Sequence, residues 1–250
     1  MKNFQFIIST DDINGDIVTV PKELIHRIKT VLRYKKGDAV RLLVPRTKEH
    51  PGKKINGLID SISDKGVTVM IQGYEPTKES PLCTTLYLSL IKSRHFEDAL
   101  KKATELGVNR IVPLKTERAV VKISGADRAK KMARWESVVL TAASQCKRDD
   151  LPVITDIMSV HELGDVADDA EVKIVCDETS GRYLKDHLVC FPDPVAVSAA
   201  IGPEGGFTGK ETEMLSRLGF EPVLLVKNIL RAETVPLFLL SVIQYEFGKG

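Results

Sequence analysis

VAVSAAIGPEGGFTGKE, Val195–Glu211, is a strand, a glycine turn and a helix start in immediate succession, and this order decides the fold. Val195–Ile201 reads as a strand. Gly202, Pro203, Gly205 and Gly206 then make a tight turn at its carboxyl end, where glycine lets the backbone approach a ligand closely. Thr208 is placed to cap the next helix, with Glu211 completing a capping box, an arrangement that also begins many helices with no ligand nearby. The turn is not a phosphate loop. The Walker pattern requires glycine where Glu204 stands and serine or threonine where Glu211 stands, and the GxGxxG spacing fails as well. An acidic residue inside the turn suits a ligand bearing positive charge, such as a sulfonium, better than a pyrophosphate.

Outward from this stretch the chain alternates strand and helix. Leu86–Ile91, Arg110–Leu114, Val172–Cys176, Val195–Ile201 and Pro222–Val226 read as strands. Phe96–Leu106, Asp127–Cys146, Lys210–Leu218 and Ala232–Phe247 read as helices. Such alternation predicts a mostly parallel sheet with helices on both faces, an α/β domain. On the long helix Met132, Trp135, Val139, Ala142 and Cys146 share one face, and Arg128, Lys130, Lys131 and Arg134 start the opposite one. The last helix is apolar almost all round, so it is buried in the core or shared with a second subunit. Pro236 is tolerated because it falls in the first turn. A second turn, Val226–Thr234, follows the next strand. Two such loops at one sheet edge can close around a flat ring, with Ile229 and Leu230 against an adenine; the alternative is a plain helix start with a surface Arg231 and Glu233.

The first eighty residues carry a different pattern. Short strands at Phe4–Ser9, Asp16–Val20, Ala39–Val44, Ile55–Ile62 and Val67–Gly73 are separated by Asn14-Gly15, Lys36-Gly37-Asp38, Asn56-Gly57 and Asp64-Lys65-Gly66, which predicts a small β-barrel. One helix, Lys22–Arg33, interrupts it behind Pro21. The polar, proline-containing stretch around 76–81 reads as a linker between a domain at 1–75 and one at 82–250.

Composition narrows the class. With 43% hydrophobic and 28% charged residues in 250, the chain is that of a globular protein with a sizeable core. No apolar run approaches the ~18 residues of a membrane span, and Met1-Lys2-Asn3-Phe4 does not open a signal peptide, so a cytoplasmic location is expected. Cys83, Cys146, Cys176 and Cys190 form no CxxC pair and read as small core residues; His161-Glu162 lacks the second histidine of a zincin helix. No metal is expected. Net charge is only +2, but Lys22–Lys54 holds eleven basic against three acidic residues, and Arg110–Arg148 ten against three. Asp149–Asp193 reverses this, with twelve acidic against three basic. Such segregation fits a face that grips a polyanion, or ordinary solvated surface charge.

Several spaced motifs, taken together, resemble a known family. They are Lys101–Val108 with Arg110–Leu114, Glu117-Arg118, Trp135, Gln145 with Arg148, Ile201–Phe207, and Ile229-Leu230-Arg231 with Glu233-Thr234. Over most of its length the chain resembles the knotted SPOUT methyltransferases and, within them, the ribosomal RNA small subunit methyltransferase E family. It departs from that pattern at Ala232, where threonine is common, at Val235, where alanine is common, and at Ser93, where glycine often stands.

The resemblance implies an N-terminal PUA-like β-barrel, a mostly parallel α/β domain with a C-terminal trefoil knot, and a homodimer. It also implies methyl transfer from S-adenosyl-L-methionine to N3 of a specific uridine in 16S ribosomal RNA of the small ribosomal subunit. The cofactor would contact Ile201, Gly202, Pro203, Glu204, Gly205, Gly206, Val226, Asn228, Ile229, Leu230 and Thr234. Uridine N3 carries a proton, so Arg231 is the candidate for stabilising the uracil oxygens, and Glu204 and Glu233 are both candidates for the base. RNA contact would fall to Arg27, Lys29, Arg33, Lys35 and Lys36 in the first domain and to Arg94, Arg118, Lys122, Arg128, Arg134 and Arg148 in the second. Two alternatives stay open: a SPOUT enzyme acting on a ribose 2′-hydroxyl or another base, and a non-catalytic RNA-binding assembly factor.

Overall fold

The computed structural model describes residues 4–47, 50–63, 66–78, 80–165 and 169–248. Asp64 and Lys65 of the expected turn, Glu79 of the expected linker, and Met1–Asn3 lie outside the described residues. Residue contacts divide the chain into two units, Met1–Glu79 with Ala143–Leu151, and Ser80–Ala142 with Pro152–Gly250.

In the first unit the short apolar runs between turn signals form β1 (Gln5–Ile7), β2 (Ile13–Asn14), β3 (Ile17–Thr19), β4 (Ala39–Val44), β5 (Lys53–Ser63) and β6 (Gly66–Pro76). They make one mixed sheet in the order β1-β4-β5-β6-β3-β2, in which only the β1–β4 pair is parallel. Inward-facing Phe6, Leu42, Ile55, Ile59, Val67 and Val69 form its core with Ile28. The expected barrel is not closed by strand pairing. Among the described residues, β1 and β2 stand at opposite ends of the ladder, and two-residue β2 has pairing only with β3. The helix also differs: α1 covers Lys22–His26 and continues as a wider π-turn over Arg27–Val31. The expected linker begins inside a strand, because β6 runs to Pro76. Lys54 and the Lys78 backbone N–H both reach Asp149, and Gln5 donates to the Arg148 carbonyl, which fixes 148–149 to this unit.

In the second unit the elements are β7 (Cys83–Ser89), α2 (Ser93–Glu105), β8 (Arg110–Lys115), α3 (Gly125–Cys146), β9 (Val153–Ile154), β10 (Met158–Ser159), β11 (Val172–Cys176), α4 (Leu184–Leu188), β12 (Ala196–Ile201), α5 (Gly209–Arg217), β13 (Glu221–Val223) and α6 (Val235–Phe247). The strands form one parallel sheet in the order β10-β8-β7-β12-β11-β13, with β9 also on β8. Both faces are covered, as the strand–helix alternation predicts. On β7, Leu86 and Leu88 face α2, α3 and α6, whereas Tyr87 faces α5; β12 splits likewise between Ala199 and Ala200. Near-continuous apolar strands follow from burial on two faces.

The first turn of the last helix starts later than expected, at Val235, because Ala232–Thr234 form a separate turn closed by the Thr234 N–H on the Arg231 carbonyl. Val235, Leu239, Leu240, Ile243 and Phe247 are buried, while Leu237 and Tyr245 are exposed. Reading the cysteines as core residues was wrong for three of them: Cys83, Cys146 and Cys190 are exposed. Cys146 falls in the last turn of α3, past the buried Trp135, Val139 and Ala142 face. Cys176 is partly exposed, but its thiol is packed inward and burial pushes its pKa up to about 12.

Candidate functional site

All strands of a parallel sheet finish at one edge. Register pairs Val175 with Ala200 and Cys176 with Val223, so β12, β11 and β13 end level at Ile201, Cys176 and Val223. Their ends span roughly 10 Å at ~4.8 Å per strand spacing. Gly202, Asp177 and Leu224 are the first residues beyond them.

A cleft of about 360 Å³, counting its open mouth, lies there, lined by Cys176, Asp177, Glu178, Val223–Val226, Asn228–Leu230 and Val235. Its lining combines apolar residues with two acidic ones, of which Asp177 accepts from the Thr179 N–H and hydroxyl, and suits a flat, partly apolar ligand that carries hydroxyls and positive charge. Of the expected cofactor residues, Val226, Asn228, Ile229 and Leu230 line it, and Thr234 adjoins it through Val235. Ile201–Gly206 stand at the neighbouring strand end, outside the cleft lining. Cys176, Asp177 and Glu178 were not anticipated. The signal that could have found them was an acidic pair directly after a buried strand, but its use required knowing that β11 lies between β12 and β13.

The glycine turn is tied down at several points. Gly206, at φ +67°, donates its N–H to the Pro203 carbonyl at 2.9 Å. A Cβ on Gly202 would sit 3.2 Å from backbone atoms of Gly206 and Phe207, so any larger residue here would need the turn to open by a few tenths of an ångström. Thr208 caps α5 and the capping box with Glu211 is complete. Glu211 is only 2% exposed, and its carboxylate also accepts the Glu117 N–H at 2.9 Å, which ties the start of α5 to the segment after β8. Arg118 donates to the carbonyls of Gly205 at 2.8 Å and Phe207 at 3.2 Å. Glu204, at the tip, is exposed.

The turn after β13 is built differently. Ile229 and Arg231 are 78% and 84% exposed, the latter for its side chain. Ala232 is buried, so its methyl belongs to the core. The Glu233 carboxylate is largely enclosed, 3.2 Å from His95 Nδ1 and 4.0 Å from an Arg231 nitrogen. Since His95 follows β7 and β13 is three strands away, the segment must return from the sheet edge across the ends of β11 and β12 to reach α2. Arg231 and Glu233 are thus brought together, and Glu204 belongs to the other turn.

The basic residues have varied surroundings. In the first unit Arg27 stacks over the Phe4 ring at 4.3 Å and Lys29 donates to the Ser63 carbonyl. Lys35, Lys36 and Arg33 are exposed, Arg33 at a left-handed φ of 52°. Arg148 is nearly enclosed and held by Asp150. In the second unit Arg94 and Lys122 are exposed. Arg134 forks onto Glu97, and Arg128 onto Asp156 and the Ile157 carbonyl; each guanidinium holds its carboxylate partner below the usual carboxylate range. Among the described residues no cluster of His, Cys, Asp or Glu could hold a metal ion, and no helix is long and apolar enough to cross a membrane.

Residues 78–244 match the family model of the RNA methyltransferase domain. The chain is 30% identical to the ribosomal RNA small subunit methyltransferase E of Synechocystis sp., covering 95% of this chain and 76% of that one. It is 33% identical to that of Mesomycoplasma hyopneumoniae, over 74% and 79%. Among solved structures, a Legionella pneumophila protein described as a methyltransferase and bound to its cofactor SAM is 29% identical with a TM-score of 0.89 over 100% of both chains. The Neisseria gonorrhoeae ribosomal RNA small subunit methyltransferase E bound to S-adenosyl methionine is 28% identical, with a TM-score of 0.84 over 98% of both.

Proposed function

Because the chain belongs to the ribosomal RNA small subunit methyltransferase E family, we propose that it methylates N3 of one uridine in 16S ribosomal RNA, using S-adenosyl-L-methionine. The observation that carries this reading is the convergence, at one sheet edge, of an apolar cleft with carboxylates at Asp177 and Glu178, and a segment bearing Arg231 and Glu233. Those linings fit the cofactor: an adenine needs flat apolar walls, ribose hydroxyls need acceptors, and a sulfonium tolerates neighbouring carboxylates but no cluster of cations. Ile201–Gly206 on one side and Val226, Asn228, Ile229, Leu230 and Thr234 on the other would hold it. When bound, the cofactor supplies an activated methyl group that needs no covalent assistance from the protein.

The protein's own contribution is alignment, exclusion of water, and management of the N3 proton and the charge left on uracil. Arg231 is exposed, 4.0 Å from Glu233, and within reach of a turn toward a uracil oxygen, where a guanidinium stabilises developing negative charge. The remaining finer points belong to the same proposal. Residues 1–75, most of the first unit, act as a PUA-like RNA-binding domain, 76–81 as a linker, and 82–250 as a trefoil-knotted methyltransferase domain. Lys35, Lys36, Arg33, Arg94 and Lys122 are the exposed cations best suited to RNA phosphates. Exposed Leu237 and Tyr245 on α6, near a groove lined by Leu188, Val189 and Phe238, make α6 the face on which two copies pair. The enzyme works in the cytoplasm on the small ribosomal subunit or its RNA.

The test is nucleoside mass spectrometry after reaction with 16S RNA and with intact small subunits. The expected product is 3-methyluridine. A 2′-O-methylated nucleoside would show a different RNA methyltransferase, and no product together with no calorimetric binding of S-adenosylmethionine would show a non-catalytic RNA-binding factor.

A further inference from the structure

The order of the parallel sheet locates a crevice that no sequence motif marks. β7 and β12 are neighbours, yet the helix after β7, α2, lies on one face of the sheet and the helix after β12, α5, on the other. Chains that leave adjacent strand ends in opposite directions open a gap outside the carboxyl edge, where open α/β sheets place their ligands. The glycine turn forms one side of this gap. The first turn of α2 forms the other, and the Nδ1 of its half-buried His95 lies within ion-pair distance of the Glu233 carboxylate, at 3.2 Å.

A carboxylate beside Nδ1 favours the tautomer that carries its proton there, which leaves Nε2 with a lone pair to accept a proton. The weakly acidic N3–H of a uridine calls for a stronger base than an isolated carboxylate, and a neutral imidazole nitrogen is one. From this geometry we infer that His95 is the general base of the reaction and that Glu233 is the residue that orients it. This rests on the uridine-N3 reading and resolves a choice that reading left open, between Glu204 and Glu233 as the base. Glu204 sits exposed at the tip of the glycine turn, and among the described residues no hydrogen bond or ion pair orients it.

The proton of N3 passes to His95 Nε2, and the electron pair it leaves on N3 forms the new bond to the methyl carbon. The carbon–sulfur pair stays on sulfur as the neutral thioether departs. The positive charge that began on the sulfonium ends on the imidazolium, beside Glu233. The charged groups around the first turn of α2 are Lys92, Arg94, Glu97 and Asp98 on α2 itself, Arg231 and Glu233 from the segment before α6, and Lys131 and Arg134 of α3, which bond Ser93 and Glu97. On α6 only Tyr245 and Glu246 titrate, both in its last turn.

Nitrogen NMR of the imidazole in the free protein tests the orientation without turnover. His95 is expected with its proton on Nδ1, and Glu233→Gln is expected to mix the tautomers. Single-turnover rates with S-adenosylmethionine and RNA, measured from about pH 5.5 to about 9, test the proton transfer. His95→Ala is expected to lower the rate at least ~100-fold and to change the shape of its pH profile, with partial rescue by added imidazole and cofactor affinity kept within about twofold. His95→Gln, which keeps the bulk, is expected to fail similarly. A His95→Ala rate within about twofold of wild type across that range, or a proton on Nε2 in the free protein, would overturn the inference. If the wild-type protein makes no 3-methyluridine, the functional reading fails instead.

Discussion

The two turns at the carboxyl edge, Gly202–Phe207 and Val226–Thr234, are neighbours with opposite constructions. The first is laced to the segment after β8 through Arg118 and Glu211 and closes on itself at Gly202. The second presents Ile229 and Arg231 to solvent and is anchored through Glu233 and the start of α6. A closely tied wall beside an exposed, chemistry-bearing strap is the division expected where one element shapes a pocket and another supplies reacting groups. Mutations should therefore separate: in the first turn they act on stability and cofactor affinity, in the second on rate.

Arg231→Ala gives the largest expected effect and the cleanest break. It should lower single-turnover methylation about 100- to 1,000-fold, as loss of one charge-stabilising donor does, while denaturant midpoint stays unchanged. A loss of stability instead would make Arg231 part of the scaffold. Glu211→Ala should show the converse in urea titrations, losing about 3 kcal/mol, because a buried carboxylate that caps α5 and accepts the Glu117 N–H is removed. Next comes Gly202→Ala. Its Cβ would press on Gly206 and Phe207 at 3.2 Å and should cost roughly 1–3 kcal/mol, with weaker binding of S-adenosylmethionine by calorimetry.

Arg118→Ala sharpens the comparison further, at about 1 kcal/mol of stability. Since its guanidinium is occupied by the turn's carbonyls, the salt dependence of RNA binding should not change; a slope reduced by ~1 would return Arg118 to the phosphate-contacting set. Exposed Glu204→Gln should be nearly silent in stability, within about 0.5 kcal/mol, and in the pH profile of turnover. A lost pH limb in that variant would transfer the base to the first turn.

What was legible in the sequence follows the range of the interactions. The glycine turn and its Thr208–Glu211 capping box could be read because both partners lie within a few residues. The parallel sheet could be read from strands with no polar face. The barrel that the turn spacing predicts was not found closed, since closure depends on whether two- and three-residue strands find partners, and among the described residues β2 pairs with one neighbour only. Strand order was hidden too, and with it the place of Asp177 and Glu178 in the cleft and of His95 opposite Glu233. Glu211 shows both limits in one residue: its cap is local, but its bond to Glu117 spans 94 positions. The cysteines misled because small apolar character was taken for burial, although Cys146 lies in the exposed last turn of its helix.

A crystal structure of this protein with S-adenosylmethionine tests the pairing of the two turns most directly. The expected result is one molecule that touches Gly202–Gly206 and Leu224–Leu230 together, with its methyl group facing the gap between the glycine turn and His95. A molecule held by either turn alone, or seated in the groove between α4 and α6, would contradict it.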